Sequence, residues 1–342
     1  MMRLTNMLAG MIGHIPAARL LGEWEHEPGS LAFWRASSNF VYSFRKGDDV
    51  FFLRFVHEDD RSRHAIEAEL AFVDYLAAAG YPAAAPVRSR WGNLVESAET
   101  ETGTYHGCVF RRANGRPVTA ASMTASQLRQ WGESLARLHL LARDYVPPGP
   151  PRPDWRETLA FVRSVLTRHP DETAAAEELE RLASELARIP EANGEFGLVH
   201  YDFQSDNVIE SEEEGRFSVF DFDDAMRHWF LMDVEIVRKE LLEERASDLK
   251  EAEDAYAAFT AGYRTLRPIG PEAATLLPLL QRFDELYSFA RVVRSLEGID
   301  EVPDQPDWLA GLRGKLERAL RRMRAGFVSR LLSGTMETSP RE

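Results

Sequence analysis

The sequence predicts an α+β protein in two parts: an antiparallel sheet carrying one main helix, then a mostly helical region that encloses a β-hairpin. Three observations predict it. Aromatic and β-branched runs alternate with turn residues in the first third of the chain. After Gly115 apolar residues step by three or four, and one β-rich island, Phe196 to Phe222, interrupts those helices.

In the first third, Phe40 to Phe44, Val50 to Val56 and Tyr105 to Phe110 read as strands, and Lys46-Gly47-Asp48-Asp49 turns the first into the second as a hairpin would. Arg63 to Ala79 reads as the helix: Ile66, Leu70, Val73, Leu76 and Ala77 share a face, and Gly80 stands where a helix stops. Strand character ends near Ala113 to Pro117, so the division between the parts is expected there. Beyond it Leu128, Trp131, Leu135, Leu138 and Ala142 form one helical core face. Leu179, Leu182, Leu186 and Ile189 form a second, and Leu309, Leu312, Leu316, Leu320, Met323 and Phe327 a third. The proline-rich run Pro147 to Pro153 cannot continue a helix and is expected to cross the surface between two of them. Gly334 to Glu342 reads as a frayed tail.

Composition narrows the function. The 342 residues include 41 Lys+Arg and 55 Asp+Glu, a formal net charge of −14, which lacks the basic excess that nucleic-acid binding draws on. The balance suits a cationic or metal-chelated ligand. Cys108 is the one cysteine, so there is no internal disulfide or Cys-rich zinc site, and a reducing compartment is expected. No apolar run reaches the 18 or so residues of a membrane span. The N-terminal stretch, broken by Gly10, Gly13, His14 and Pro16, fits a secretory signal poorly, and a cytoplasmic protein is expected.

The chemistry concentrates in the β-rich island. Leu198-Val199 leads into His200-Tyr201-Asp202-Phe203-Gln204-Ser205-Asp206-Asn207; Val208-Ile209, a polar turn from Ser211 to Arg216 and Phe217 to Phe220 then form a hairpin that ends in Asp221-Phe222-Asp223-Asp224. Returning the chain to its start sets Asp202 and Asn207 beside Asp221. Oxygen-bearing side chains gathered in this way suit Mg²⁺, which takes one or two carboxylates and fills its other positions with phosphate and water, and a spare carboxylate can accept a proton. A lone Asp at a strand end is usually a turn or capping residue. Here His-x-Asp-x4-Asn, a hairpin and Asp-Phe recur together at the spacing of a kinase catalytic loop and metal-binding Asp. His200 is expected to hold the loop through a backbone carbonyl.

On these residues the chain resembles the aminoglycoside phosphotransferase and choline kinase-like family of small-molecule kinases. Leu198 to Asn207 is similar to its His-Gly-Asp-x4-Asn signature and Val219 to Asp224 to its Ile-Asp-Phe-Asp/Glu signature. Ile66 to Pro86 and Trp131 to His139 are similar to its first-lobe helix and its Leu-Ala-x-Leu-His helix, so the likeness spans roughly residues 30 to 290. The resemblance implies a bilobal protein-kinase-like fold, with a nucleotide-binding lobe over residues 1–113 and a catalytic and acceptor-binding lobe over 114–342. It implies ATP and Mg²⁺, with Asp202 as catalytic base and Asn207 and Asp221 as metal ligands. Arg54 stands where kinases carry the phosphate-binding Lys and would pair with Glu69; Tyr201 stands where the signature has Gly. Ser38 and Asn39 are candidates for a phosphate-covering loop, and the Arg111 carbonyl and Ala113 N–H for the edge of adenine. The implied acceptor is a hydroxyl on a small molecule, cationic if the acids Asp223, Asp224, Asp233 or Glu235 face it, with Trp229, Tyr287 and Arg291 lining the same cleft. Asp233 would otherwise cap a helix beginning near Val234. A protein Ser/Thr kinase lacks support from an Ala-Pro-Glu anchor; a nucleotide-binding protein without turnover and a metal-dependent hydrolase stay open.

Overall fold

A computed structural model describes residues 1–192, 194–211 and 216–337. The chain opens with two short helices, α1 (Leu4–Met11) and α2 (Ile15–Leu21), then forms strands β1 (Ala32–Ala36), β2 (Phe40–Lys46) and β3 (Asp49–His57), helix α3 (Arg63–Ala78), and strands β4 (Pro86–Val87), β5 (Glu96–Thr100) and β6 (Gly103–Arg111). β2 and β3 close on a two-residue loop with Lys46 opposite Asp49, as the turn sequence required, and Gly47 takes the positive φ of 61° that the tight turn needs. The strands form one antiparallel sheet in the order β1-β2-β3-β6-β4, with β5 also on β6.

The second part comprises β7 (Arg116–Pro117), α4 (Ala125–Asp144), α5 (Trp155–Arg168), α6 (Thr173–Leu186), β8 (Phe196–Val199), β9 (Val208–Glu210), β10 (Phe217–Val219), β11 (Met226–Trp229), α7 (Leu231–Glu244), α8 (Leu249–Tyr263), α9 (Ala273–Ser295) and α10 (Asp307–Glu337). β9 and β10 pair with Val208 opposite Val219, which is the expected hairpin; residues 212–215 of its turn lie outside the described residues. The fold is α+β in two lobes, an antiparallel sheet with one main helix and a mostly helical part that carries the hairpin. The lobes are stitched at the hairpin, where Val219 N–H donates to the Pro82 carbonyl and Ala84 N–H to the Val219 carbonyl. β7 adds to β9 on the other edge, so the chain joins the second lobe as soon as it leaves β6.

Three local expectations change. α10 continues to Glu337, so residues 334–337 are helical rather than frayed, and 338–342 lie outside the described residues. The proline-rich connection carries a buried anchor: Arg152 donates to the carbonyls of Ala65 and Ala225, at 2.9 and 2.7 Å, and to that of Asp223. A guanidinium with donors aimed at three separate segments locks α3 to the chain after the hairpin. Finally, α1 and α2 precede the sheet and pack on it. Among the described residues no helix is long and apolar enough to cross a membrane.

α4 crosses α8 at close range, where Gly132 faces the Phe259 carbonyl and Gly262 the Arg129 carbonyl. A methyl at either position would meet rigid backbone rather than a flexible side chain. Gly262→Ala is therefore expected to lower unfolding free energy by about 2 kcal/mol or more, since overpacking outweighs the roughly 1 kcal/mol by which Ala favours a helix. Urea melts check this, and an unchanged midpoint would contradict the packing described.

Candidate active site

The loop between β8 and β9 is held from beneath by one buried acid. Asp233, in the first turn of α7, accepts from His200 N–H at 2.9 Å and Tyr201 N–H at 2.7 Å, and His139 Nε2 lies 2.9 Å away. It does not cap its own helix, whose N-cap is Phe230, and it faces no cleft, being fully buried. A buried carboxylate must find donors, and this one finds them on the loop ahead of Asp202. His200 is also fully buried, and burial lowers its pKa, so the ring is neutral. Its Nε2–H donates to the Phe220 carbonyl at 3.1 Å while Nδ1 accepts from Asp202 N–H at 3.3 Å. One imidazole thus ties the entry of the hairpin to its exit.

Two residues here have left-handed backbone, Tyr201 at φ 66° and Asp221 at φ 65°. Asp tolerates this conformation, whereas a bulky Tyr is strained in it. Glycine, the residue of the resembled signature, would adopt it freely. Tyr201 is held there by Asp233, by its hydroxyl donating to Asp284 at 3.1 Å, and by ring contact with Tyr287. Strain of this kind collects where surrounding structure fixes a functional geometry.

On this frame Asn207 Nδ2 donates to the Asp202 carboxylate at 2.8 Å and to the Asp202 carbonyl at 2.9 Å, and Phe220 N–H donates to the Asn207 carbonyl at 3.1 Å. Asp202, Asn207 and the residue before Asp221 therefore lie in one hydrogen-bonded unit. Burial, reinforced by the carboxylates of Asp224, Asp223, Asp221 and Asp206, pushes Asp202 up to about 8, a high proton affinity for a carboxylate. Burial and the Asp223 charge also raise Asp221 against the pull of Arg54.

Arg54, in the middle of β3, is buried and bidentate in reverse: one nitrogen lies 2.7 Å from both oxygens of Glu69 on α3. Its other terminal nitrogen donates to Asp221 Oδ1 at 3.0 Å. Arg35 of β1 donates to Asp221 Oδ2 at 3.0 Å. The remaining acids are also countered. Asp223 binds Arg61 at 2.7 Å and the amide of Asn39; although burial opposes it, Arg61 and Arg54 hold Asp223 well below the usual carboxylate range. Asp224 binds Arg291 at 2.8 Å and Arg61 at 3.5 Å, and Arg291 also donates to Ser38 at 3.2 Å. The loop of Ser38 and Asn39 is thus pinned to the second lobe.

The structure therefore brings Asp202, Asn207, Asp221, Arg54, Glu69, Ser38, Asn39, Asp223 and Asp224 to one cleft. A cavity of about 490 Å³ adjoins it, bordered by Ser38, Arg61, Asp223, Asp224, Tyr287 and Arg291. Glu235 is not among them: it is buried on α7 and paired with Arg238 through two 2.7 Å bonds. Trp229 is core, its ring against Trp155 and Phe196 and its Nε1 donating to the Pro190 carbonyl. Arg111 ends β6 with its side chain on Asp49, and half-buried Ala113 lies just beyond, where the chain passes between lobes. A second cavity of about 530 Å³, between α3 and the proline-rich connection, contains none of these residues.

Arg35, Arg61 and the role of Asp233 were not foreseen. For Asp233 a signal existed: an acid within the apolar run Trp229 to Val234 has to be buried, and a buried acid has partners to satisfy. For the two arginines there was none, since their partners lie 186 and 162 residues away.

The donor set fits a divalent cation. Asn207 uses its amide nitrogen on Asp202, which leaves the amide oxygen for a hard metal; the other oxygen ligand the hairpin offers is Asp221, whose carboxylate here accepts from Arg54 and Arg35. Among the described residues no group of three or more His, Cys, Asp or Glu is placed to hold a metal ion.

The chain is similar to known proteins in sequence and in fold. Residues 32–271 match the model of the phosphotransferase enzyme family (APH). The chain is 25% identical over 298 residues to amicoumacin kinase of Bacillus subtilis (strain 168), covering 83% of this chain and 86% of that one. It is 31% identical over 227 residues to homoserine kinase of Polaromonas naphthalenivorans (strain CJ2), covering 62% and 66%. Among solved structures, amicoumacin kinase hAmiN in complex with AMP-PNP, Ca²⁺ and Ami superposes with a TM-score of 0.76 at 20% identity, covering 94% and 96% of the two chains. A microcompartment-associated aminopropanol kinase superposes at 0.65 and 20%, covering 93% and 97%.

Asp233→Ala is expected to lower unfolding free energy by about 2–5 kcal/mol, because two buried backbone donors and His139 lose their acceptor at once. Denaturant melts measure it; a loss below about 1 kcal/mol would show that the loop does not hang on this residue.

Proposed function

The chain belongs to the phosphotransferase enzyme family and is a small-molecule kinase, and from that premise we propose that it moves the γ-phosphate of ATP to a hydroxyl of an amine-bearing small molecule, with Asp202 as the base. The observation that carries this reading is the 2.8 Å bond from Asn207 to the Asp202 carboxylate, made by the end of Asn207 that a metal does not use. It gives each residue a separate task. Asn207 Oδ1 and the Asp221 carboxylate would hold Mg²⁺, which when bound neutralises triphosphate charge.

Arg54, fixed by Glu69, faces the same carboxylate and holds the phosphates next to it. A guanidinium here remains charged and presents two nitrogens where an ammonium presents one point charge. Ser38 and Asn39 cover the phosphates from the β1–β2 loop, and the Arg111 carbonyl and Ala113 N–H meet the edge of adenine where the lobes join. Asp202 accepts the acceptor's hydroxyl proton as that oxygen bonds to the γ-phosphorus. The bond from phosphorus to the β–γ bridging oxygen breaks, ADP leaves with the electron pair, and Asp202 then releases its proton to solvent. The raised proton affinity of Asp202 suits that transfer.

We place the acceptor's amine beside Asp224, at the edge of the 490 Å³ cavity; the rest of that cavity carries more arginines than acids, and Arg291 already covers the Tyr287 ring. Both acids after Asp221 are already ion-paired, so an amine there shares Asp224 with Arg291 rather than meeting a bare carboxylate. The similarity to kinases named for homoserine and aminopropanol supports an acceptor that carries an amine as well as a hydroxyl.

An ATP-consumption screen over amicoumacin, aminopropanol, homoserine, choline, aminoglycosides and sugars is expected to find turnover on an amine-bearing alcohol. Asp202→Asn is expected to lower kcat on that acceptor by about 10²- to 10⁴-fold while the KM for ATP stays within a few-fold of wild type. Equal turnover by the variant would remove Asp202 from the role of base.

A further inference from the structure

Arg35 has no place in the reaction as described, yet its backbone setting aims it at the centre of the site. β1 meets β2 with Phe33 opposite Tyr42, but Arg35 lies opposite Val41, so one extra residue, Trp34, is accommodated between them. A bulge of this kind changes which face the following side chains occupy. Val41 in turn lies opposite Arg54, and Arg54 opposite Cys108. Directly opposed residues on antiparallel strands share a face. Arg35, Val41, Arg54 and Cys108 therefore form one rung across four strands, and the two arginines on it converge on the two oxygens of Asp221.

The two differ in how firmly they are held. Arg54 is buried and bound by both oxygens of Glu69, so it stays in place when Asp221 acquires another partner. The Arg35 side chain is 45% exposed, and Asp221 is the ionic partner it has among the described residues. A divalent cation on Asp221 would set two positive charges beside that guanidinium and drive it off. The anion then within reach is the phosphate chain bound to the same cation, and Arg35 lies directly before the Ala36 to Asn39 loop that covers it.

We propose that Arg35 is a mobile phosphate clamp: it pairs with Asp221 in this structure and transfers to the terminal phosphates of the nucleotide when Asp221 takes the metal. This rests on the reading of the cleft as a Mg·ATP site. The geometry favours Arg over Lys, because a planar fork can bridge two phosphate oxygens.

Calorimetric titration of wild type, Arg35→Ala and Arg35→Lys with ATP, ADP and AMP, each with Mg²⁺, tests the proposal. Arg35→Ala is expected to weaken ATP binding at least tenfold and ADP less, and to leave AMP within about twofold; Arg35→Lys is expected to fall between Ala and wild type for ATP. ATP affinity that is unchanged or improved in Arg35→Ala would overturn the clamp and leave only a latch on Asp221. Equal weakening of all three nucleotides would also overturn it, since loss of local structure does not distinguish phosphate number. If wild type binds no nucleotide, the parent reading fails and the clamp with it, an outcome distinct from a failure seen only in the variants.

Discussion

Four carboxylates, those of Asp202, Asp221, Asp223 and Asp224, share a cleft that burial keeps at low effective dielectric, and the rest of the site is arranged around their repulsion. Like charges this close are costly unless countered. The protein counters them from outside the hairpin. Arg35, Arg54 and Arg61 come from the first lobe and Arg291 from α9, so each ion pair also ties the hairpin to another element. Lobe closure and charge neutralisation are the same set of contacts. Asp202 is the exception: it takes an amide N–H from Asn207 rather than a guanidinium, and burial, reinforced by the neighbouring carboxylates, raises its proton affinity. The acid proposed as the base is the one left without a guanidinium partner.

A second layer of fixed groups makes this arrangement possible. Asp233 and His200 are fully buried and satisfy the backbone of the loop that presents Asp202, and buried His139 in turn holds Asp233. Their hydrogen bonds hold Tyr201 in a conformation its side chain disfavours. Arg152 performs a similar task behind Asp223, joining α3, the proline-rich connection and the chain after the hairpin through carbonyls alone. These residues touch no reacting atom, and they act on the chemistry by fixing distances.

What the sequence revealed follows from how local the signal was. Asp202, Asn207 and Asp221 lie within 20 residues on a hairpin whose strands and turn are encoded by neighbours, so their convergence was legible. So were the hairpin at Gly47, the helix ending at Gly80 and the pairing of Arg54 with Glu69, which needed only a strand and the helix after it. The counter-ions were not legible, because Asn39 meets Asp223 across 184 residues and Arg291 meets Ser38 across 253. No period or spacing records such contacts. α1 and α2 were hidden by their own punctuation: Gly13 and His14 take positive φ in the kink between them, and Gly10 is where the Phe40 ring packs on α1. Arg35 was hidden by a bulge, which is a property of strand pairing rather than of either strand alone.

The central claim is that one amide oxygen and one carboxylate of the hairpin hold the cation of a bound triphosphate, with Asp202 free beside them. A crystal structure with Mg²⁺ and a non-hydrolysable ATP analogue tests it most directly. The account predicts Asn207 Oδ1 and an Asp221 oxygen on one ion at about 2.0–2.1 Å, with the terminal phosphate completing its shell. An ion bound elsewhere, with Asp221 still held by both arginines, would contradict it.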